Sequence, residues 1–416
     1  MEYAQYPYGR AENLTGDHVI ATYLMFGTDC GSALKKAGGF AVGQTVGTWV
    51  SVPGVSAGMV ESYQGRVVSL YPVAYGDETV FVLRVAFPQV NFAGSFTIMM
   101  TALVGNDVST ALQTKLIDLE LCGDASRSFA GPKKGIDELR KLTGVYQRPI
   151  VLNMIKPCTG FTPAEGAKLF YASACGGIDL IKDDELLGSP SYSQVAERVS
   201  AYQQAGESAY ELTGKRTVYM ANISGSPRKM RDNAKAAMQA GAKACLINFV
   251  FGGLDALAEI SEEFGDSLFI MAHYAGAGVM NWARGGIANP VLLGLLPRLA
   301  GAHAVMTMYP NQQDSAALFD FYQTVQSQNL PLKGIRPLVT AVGGGITPVN
   351  QEKLQKELGS DIIIGIGGAV QGHPMGTTEG ARAAMAAVEA SAKGIPLETA
   401  AETCEGLRVA LESWNK

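Results

Sequence analysis

Apolar positions along the chain follow two rhythms. From about residue 18 to 135 the apolar runs are long and mostly successive: HVIATYLMF (18–26), MVESYQGRVVSLYPVAY (59–75) and ETVFVLRVAF (78–87) read as strands. Helical spacing interrupts them at 29–41 (DCGSALKKAGGFA) and around 94–105. The mixture predicts an α+β domain of ferredoxin-like type, with helices on one face of a mainly antiparallel sheet. The stretch CGDASRSFAGPKKGIDELRKL (122–142) is loop-rich with a Gly-Pro break. It places the expected domain boundary there, giving a first domain over 1–135 and a second over 136–416.

After residue 148 the rhythm becomes regular. Eight short runs rich in Ile, Val and Leu appear at 149–157, 177–185, 217–224, 244–250, 267–274, 302–310, 337–345 and 361–368. Between them lie segments with apolar residues at i, i+3, i+4 spacing, such as 162–175, 227–242, 289–301 and 379–393. Eight β/α units in this length predict an α/β fold in the form of a closed (β/α)8 TIM barrel. The rival, an open doubly wound sheet, lacks support because no GxGxxG follows the first strand.

Composition narrows the function classes. Apolar residues make up 47% and charged residues 17% of the 416, which is globular and not disordered composition. The net charge of −5, with no run of Lys or Arg, argues against a nucleic-acid partner or an anionic membrane surface. The N-terminus has no basic-then-apolar signal pattern, and no apolar stretch reaches the ~18–20 residues that span a bilayer. Six cysteines are scattered with no CxxC spacing, so neither a disulfide framework nor a zinc site is expected. A soluble cytoplasmic protein is the expectation.

A barrel of this kind puts its active site at the C-terminal ends of its strands. Polar and glycine residues gather there: Lys156, Lys182 to Glu185, Asn222, His273, Gly343 to Gly345, and Gly367 with Gly368. In GGIDLIKDDE (176–185), period-two alternation puts Leu180, Lys182 and Asp184 on one face, with Glu185 at the turn. Two carboxylates so close suit Mg²⁺, and the neighbouring Lys182 makes sense if it carries CO₂ as a carbamate that supplies a third oxygen. The plainer alternative is a solvated loop with a local ion pair. Lys156, just before Pro157, is a candidate proton donor or acceptor whose pKa should fall beside a metal; the alternative is a snorkelling surface lysine. His273 ends the fifth run and suits acid–base work or a substrate hydroxyl, while His18, His303 and His373 read as structural. The glycine turns at 343–345 and 365–368 suit backbone binding of a phosphate.

Taken together, GGxDxxKDDE, IKP, GTW (47–49), the two glycine turns and GHPxG (372–376) resemble the RuBisCO large-subunit superfamily over nearly the whole chain. The resemblance implies that Lys182 is the carbamylated lysine and that Asp184 and Glu185 complete a Mg²⁺ site. It implies that Lys156 is a proton-transfer lysine, and that His273 is the family's strand-five histidine. Gly344, Gly345, Gly367 and Gly368 match phosphate-binding positions. Thr48, Trp49 and Asn106 match residues contributed across a dimer interface, which implies a homodimer with shared active sites.

The departures point away from CO₂ fixation. The family's loop after strand six ends in a lysine, and TMYPNQQDSA (307–316) has none. The second lysine of the family's KPK is Cys158, its N-terminal-domain glutamate is Gly43, and the arginine after the histidine is Tyr274. The chain therefore resembles the RuBisCO-like proteins (form IV). The resemblance implies Mg²⁺-dependent enolate chemistry on a phosphorylated keto sugar or sugar acid, by enolisation, isomerisation or decarboxylation. One alternative is the 2,3-diketo-5-methylthiopentyl-1-phosphate enolase of methionine salvage, whose base is a lysine where this chain has Asn106. Another is a non-catalytic paralogue that binds a sugar phosphate and regulates a partner.

Overall fold

The computed structural model describes residues 14, 16–26, 29–47, 50, 52–75, 78–111, 113–310 and 313–414. Thr48 and Trp49 lie outside the described residues. The chain forms two compact units. One takes residues 1–130, 276–296 and 330–335; the other takes 131–275, 297–329 and 336–416.

The first unit is built on β1 (His18–Met25), β2 (Arg66–Tyr75), β3 (Glu78–Pro88) and β4 (Thr114–Cys122), with helices Cys30–Gly43 and Phe96–Val104 between them. The sheet order β4-β1-β3-β2, antiparallel throughout, is the ferredoxin-like arrangement. A two-residue strand from later in the chain, β10 (Gly286–Ile287), adds in parallel to β4 and makes the sheet mixed. The apolar run expected as one strand over 59–75 is divided. Its first part is a helix, Ala57–Tyr63, because the Ser56 hydroxyl caps it by accepting from the Met59 N–H, and none of its side chains is buried. Gly65 separates it from β2; its N–H turns aside to the Thr45 hydroxyl.

The second unit is a closed parallel barrel of β5 (Ile150–Met154), β6 (Leu180–Lys182), β7 (Val218–Asn222), β8 (Ala244–Ile247), β9 (Phe269–His273), β11 (Ala304–Met308), β12 (Val339–Gly343) and β13 (Ile362–Gly365). Inward-facing Leu152, Leu180, Met220, Leu246, Met271, Met306, Ala341 and Ile363 fill it, so it is a packed core and not a pore. Thr162 and Glu165 form a reciprocal capping box that starts the helix Pro163–Cys175.

The loop expected over 122–142 contains a further helix, Ile136–Thr143. Glu138 satisfies the N–H of Gly135 at its start, and Gly144 ends it at φ 73°. Leu139 is fully buried among the inward-facing barrel residues, with Ile136, Leu142 and Val145 packed against them. This helix stoppers the barrel. Among the described residues no helix is long and apolar enough to cross a membrane.

Candidate active site

The strand tips of the barrel unit surround a cavity of about 330 Å³. Lys156, Lys182, Asp184, Glu185, His273, Gly344, Gly345, Gly367 and Gly368 all line it. So do Met154, Tyr274, Met306, Ile346, Thr347, Ala369 and Trp414. Alternation along β6 places these groups. Leu180 faces the barrel core, Lys182 and Asp184 face the cavity, and Asp183 points the other way into the helical layer.

KDDE is not a solvated loop: Lys182, Asp183 and Asp184 are each at most 2% exposed. Asp183 is the anchor. Its Oδ2 accepts hydrogen bonds from Arg198 (3.0 Å), the Tyr219 hydroxyl (2.7 Å) and the Asn222 N–H (2.9 Å). Burial pushes the Asp183 carboxyl above its ordinary value against the pull of Arg198. Burial also works against the Arg198 charge, but Asp183 beside it wins and raises the guanidinium pKa further. Asn222 then holds the next turn, its amide donating to the carbonyls of Asp184 (3.1 Å) and Glu185 (3.0 Å); Asn248 donates to Glu185 as well (2.8 Å).

Inside the cavity Lys182 Nζ donates to the Asp183 carbonyl at 3.0 Å and lies 3.4 Å from Glu185 Oε2. Burial lowers the pKa of Lys182 more than Glu185 and Asp184 raise it, so its ammonium is less favoured than that of a free lysine. Lys156 Nζ donates to Asp184 Oδ2 at 2.5 Å and to Cys158 Sγ at 3.2 Å. Burial alone would lower the Lys156 pKa, but the hydrogen bond to Asp184 raises it to about 12. For Asp184 burial acts upward, and hydrogen bonds from Lys156 and the Leu186 N–H outweigh it, so the carboxyl stays below its ordinary value.

His273 sits at the end of β9 with Nε2 3.5 Å from Glu185 Oε2, while its Nδ1 accepts from the Ala275 N–H at 3.2 Å. Burial, then the charge on Lys182, depresses its pKa to about 3, so the ring is neutral. Tyr274 stacks on it with ring centroids 4.7 Å apart. On the opposite strands Gly344 and Gly345 are consecutive at φ 84° and 69°, a left-handed pair that side chains resist. A Cβ on Gly344 would come within 2.7 Å of Met308, whereas nothing lies within 4 Å of one on Gly345 or Gly368.

Asn106 belongs to the first unit. It is exposed, its carbonyl accepts from the Thr110 hydroxyl, and it is not among the residues lining this cavity. The residues that sequence reasoning missed are Trp414 and Thr347 in the cavity and Arg198 and Tyr219 behind it. Arg198 had a signal: it falls at helical spacing with Val195, Val199 and Tyr202, a charge on an apolar stripe.

The chain matches the family model for the ribulose bisphosphate carboxylase large chain catalytic domain over residues 135–414 and that for its N-terminal domain over 8–122. It is 33% identical to the ribulose bisphosphate carboxylase-like protein of Archaeoglobus fulgidus, over 91% of this chain and 88% of that one. It is also 33% identical to the 2,3-diketo-5-methylthiopentyl-1-phosphate enolase of Geobacillus thermodenitrificans, over 95% and 98%. The crystal structure of the RuBisCO-like protein MtnW from Alicyclobacillus acidocaldarius superposes with a TM-score of 0.87 at 32% identity, covering 95% of this chain and all of the other. Similar solved RuBisCOs include a dimeric archaeal one from Hyperthermus butylicus (TM-score 0.87, 29% identity, 98% of both chains). Enzymes of this family generally use Mg²⁺ and a carbamylated lysine. With both domain models matched and RuBisCO-like relatives aligned along almost its full length, the chain belongs to the RuBisCO large-chain family, as an enzyme of its RuBisCO-like, non-carboxylating group.

Proposed function

We propose that the cavity performs enolate chemistry on a phosphorylated keto sugar or sugar acid. The observation that carries this is the convergence of Lys182, Asp184, Glu185 and Lys156 opposite two glycine turns in one enclosed space. The donor set fits the family's metal site. Asp184 and Glu185 offer hard oxygen ligands, and Lys182, whose ammonium is disfavoured by burial, would supply a third oxygen once its amine adds CO₂. Magnesium held there would supply electrophilic polarisation of the substrate carbonyl and stabilise negative charge on its oxygen.

The chain's own residues do the rest. The amides of Gly344, Gly345, Gly367 and Gly368 bind the phosphate and fix the distance to the strand-six side. Lys156 opens on the same cavity as a carrier of the proton to or from carbon, and its pairing with Asp184, which raises its pKa, supports the donor role. Neutral His273 hydrogen-bonds a substrate hydroxyl. An acid at Lys156 suits decarboxylation followed by protonation, or the reprotonation half of an isomerisation. The enolase activity named for the Geobacillus thermodenitrificans relative is the second reading, favoured by 33% identity over 95% of the chain; it needs a base other than Asn106.

A homodimer with shared sites, contributed to by Thr48, Trp49 and Asn106 of a second copy, completes the proposal. Exposed apolar side chains of the barrel unit, Leu186 after β6, Phe251 after β8, Met308 at the end of β11 and Phe319 in the helix Ser315–Asn329, support a covered rim. The six cysteines are free thiols, in keeping with a cytoplasmic setting. The test incubates the protein with Mg²⁺, bicarbonate and a panel of phosphorylated ketoses and keto acids in D₂O. Proton NMR should show deuterium wash-in or CO₂ release. Binding without exchange or release across the panel would favour the regulatory paralogue.

A further inference from the structure

One wall of the cavity comes from the far end of the chain. The helix Glu405–Trp414 brings Trp414 into the lining beside Thr347, Gly368 and Ala369. Its placement depends on a second motif, GHPMG (372–376), which the chemistry above does not use. His373 follows the short turn of helix Gly368–Gln371 that begins at the glycine turn. The His373 ring is 4% exposed; its Nε2 bonds the carbonyl of Gly406 at 2.9 Å and its Nδ1 accepts from the Met375 N–H at 3.1 Å. Its face packs on the Trp414 indole, with ring centroids 5.8 Å apart. Gly406 in turn allows close approach, since a Cβ there would lie 2.7 Å from the Glu379 carbonyl. The Trp414 indole is half-buried, and its N–H makes no hydrogen bond with any described residue.

We propose that Trp414 is a substrate-positioning residue at the phosphate end of the cavity and that His373 is the latch that holds it there. Indole presents an apolar face and one N–H donor, and no acceptor. Beside the glycine turns that combination excludes water from amide–phosphate hydrogen bonds and adds a donor that ammonium or guanidinium groups do not supply there. Among the described residues no arginine lines the cavity, and Lys156 and Lys182 are engaged with Asp184 and Glu185 on the strand-six side. The indole therefore sets which anionic group is accepted. This rests on the phosphate reading of the glycine turns given above.

The test titrates inorganic phosphate into the full-length protein with Mg²⁺ and bicarbonate, by calorimetry and by tryptophan emission. Trp414→Ala should weaken phosphate about tenfold, and His373→Ala by a similar factor. The double variant should be no weaker than either single, because His373 acts through the indole. Trp414→Phe, which keeps a ring and so protects folding but lacks the N–H, should weaken phosphate less than Trp414→Ala does yet lose most of the phosphate-induced emission change. Melting midpoints of all four report folding. Wild-type protein that binds no phosphate overturns both this and the phosphate reading. Wild-type binding that Trp414→Ala leaves unchanged, or effects of the two residues that simply add, overturns the positioning role alone.

Discussion

Replacing Arg198 by Met probes how the site is held. Arg198 and Asp183 are both fully buried, 3.0 Å apart. Beyond Asp183, the guanidinium donates to the Gly188 carbonyl (2.8 Å), the Ser193 carbonyl and the Tyr219 hydroxyl (3.3 Å). Methionine fills much of the volume but leaves a carboxylate without its cation and two carbonyls without donors. Removing one partner of a buried pair costs about 3–5 kcal/mol. At about 2.1 cal/mol/K of unfolding entropy per residue, a chain of 416 residues shifts by about 1 °C per kcal/mol, so the melting midpoint should fall by about 3–6 °C. Tyr219→Phe removes one hydrogen bond to the same charge and should cost only about 1.5–3 kcal/mol. Asp183→Asn combined with Arg198→Met buries no charge and should lie above the Arg198→Met single variant. Calorimetry and urea midpoints measure all three. An Arg198→Met midpoint within about 2 °C of wild type would refute the claim that a buried ion pair braces β6.

Other expectations follow from single features. Lys182→Ala should abolish turnover in the D₂O assay while the melting midpoint stays near wild type; retained turnover would remove the carbamate proposal. Gly344→Ala forces a side chain into the left-handed region and against Met308, so it should destabilise by about 1–2 kcal/mol and weaken inorganic phosphate in calorimetry. Burial depresses the buried His303 to about 3 while the unfolded chain binds the proton near the ordinary 6.5. Its contribution to stability is therefore complete above pH 6.5 and lost as acid takes the pH down toward 3. Urea midpoints across that range should fall more steeply in wild type than in His303→Gln, and NMR should find the wild-type ring neutral at pH 5. Mixing inactive Lys182→Ala with inactive Asn106→Ala should restore part of the turnover if each site draws on two copies; no recovery after subunit exchange would refute sharing.

Much of the barrel was legible because its signal is repeated eight times. The strand bodies had to be apolar to fill a closed core, so polar residues and glycines at their ends stood out. Alternation alone put Lys182 and Asp184 on the cavity side of β6. What escaped had local causes. Met59 and Val60 suit a strand or an exposed helix equally, and only the Ser56 cap decides between them. The 136–143 helix was hidden by the glycines and lysines before it, although IDELRKL carries Leu139 on a single apolar face. The pairing of Lys156 with Asp184 was hidden because the two lie 28 residues apart in sequence and meet only in the fold. Trp414 joins the cavity through a contact with His373, and no spacing rule links residues 41 apart.

Leu139 and its helix extend the packing of the barrel at the end away from the strand tips, so filling the core and doing the chemistry fall to opposite ends. Mutations at the packed end will register as lost stability with the chemistry intact, whereas new selectivities can arise around the strand tips without unpicking what holds the barrel together.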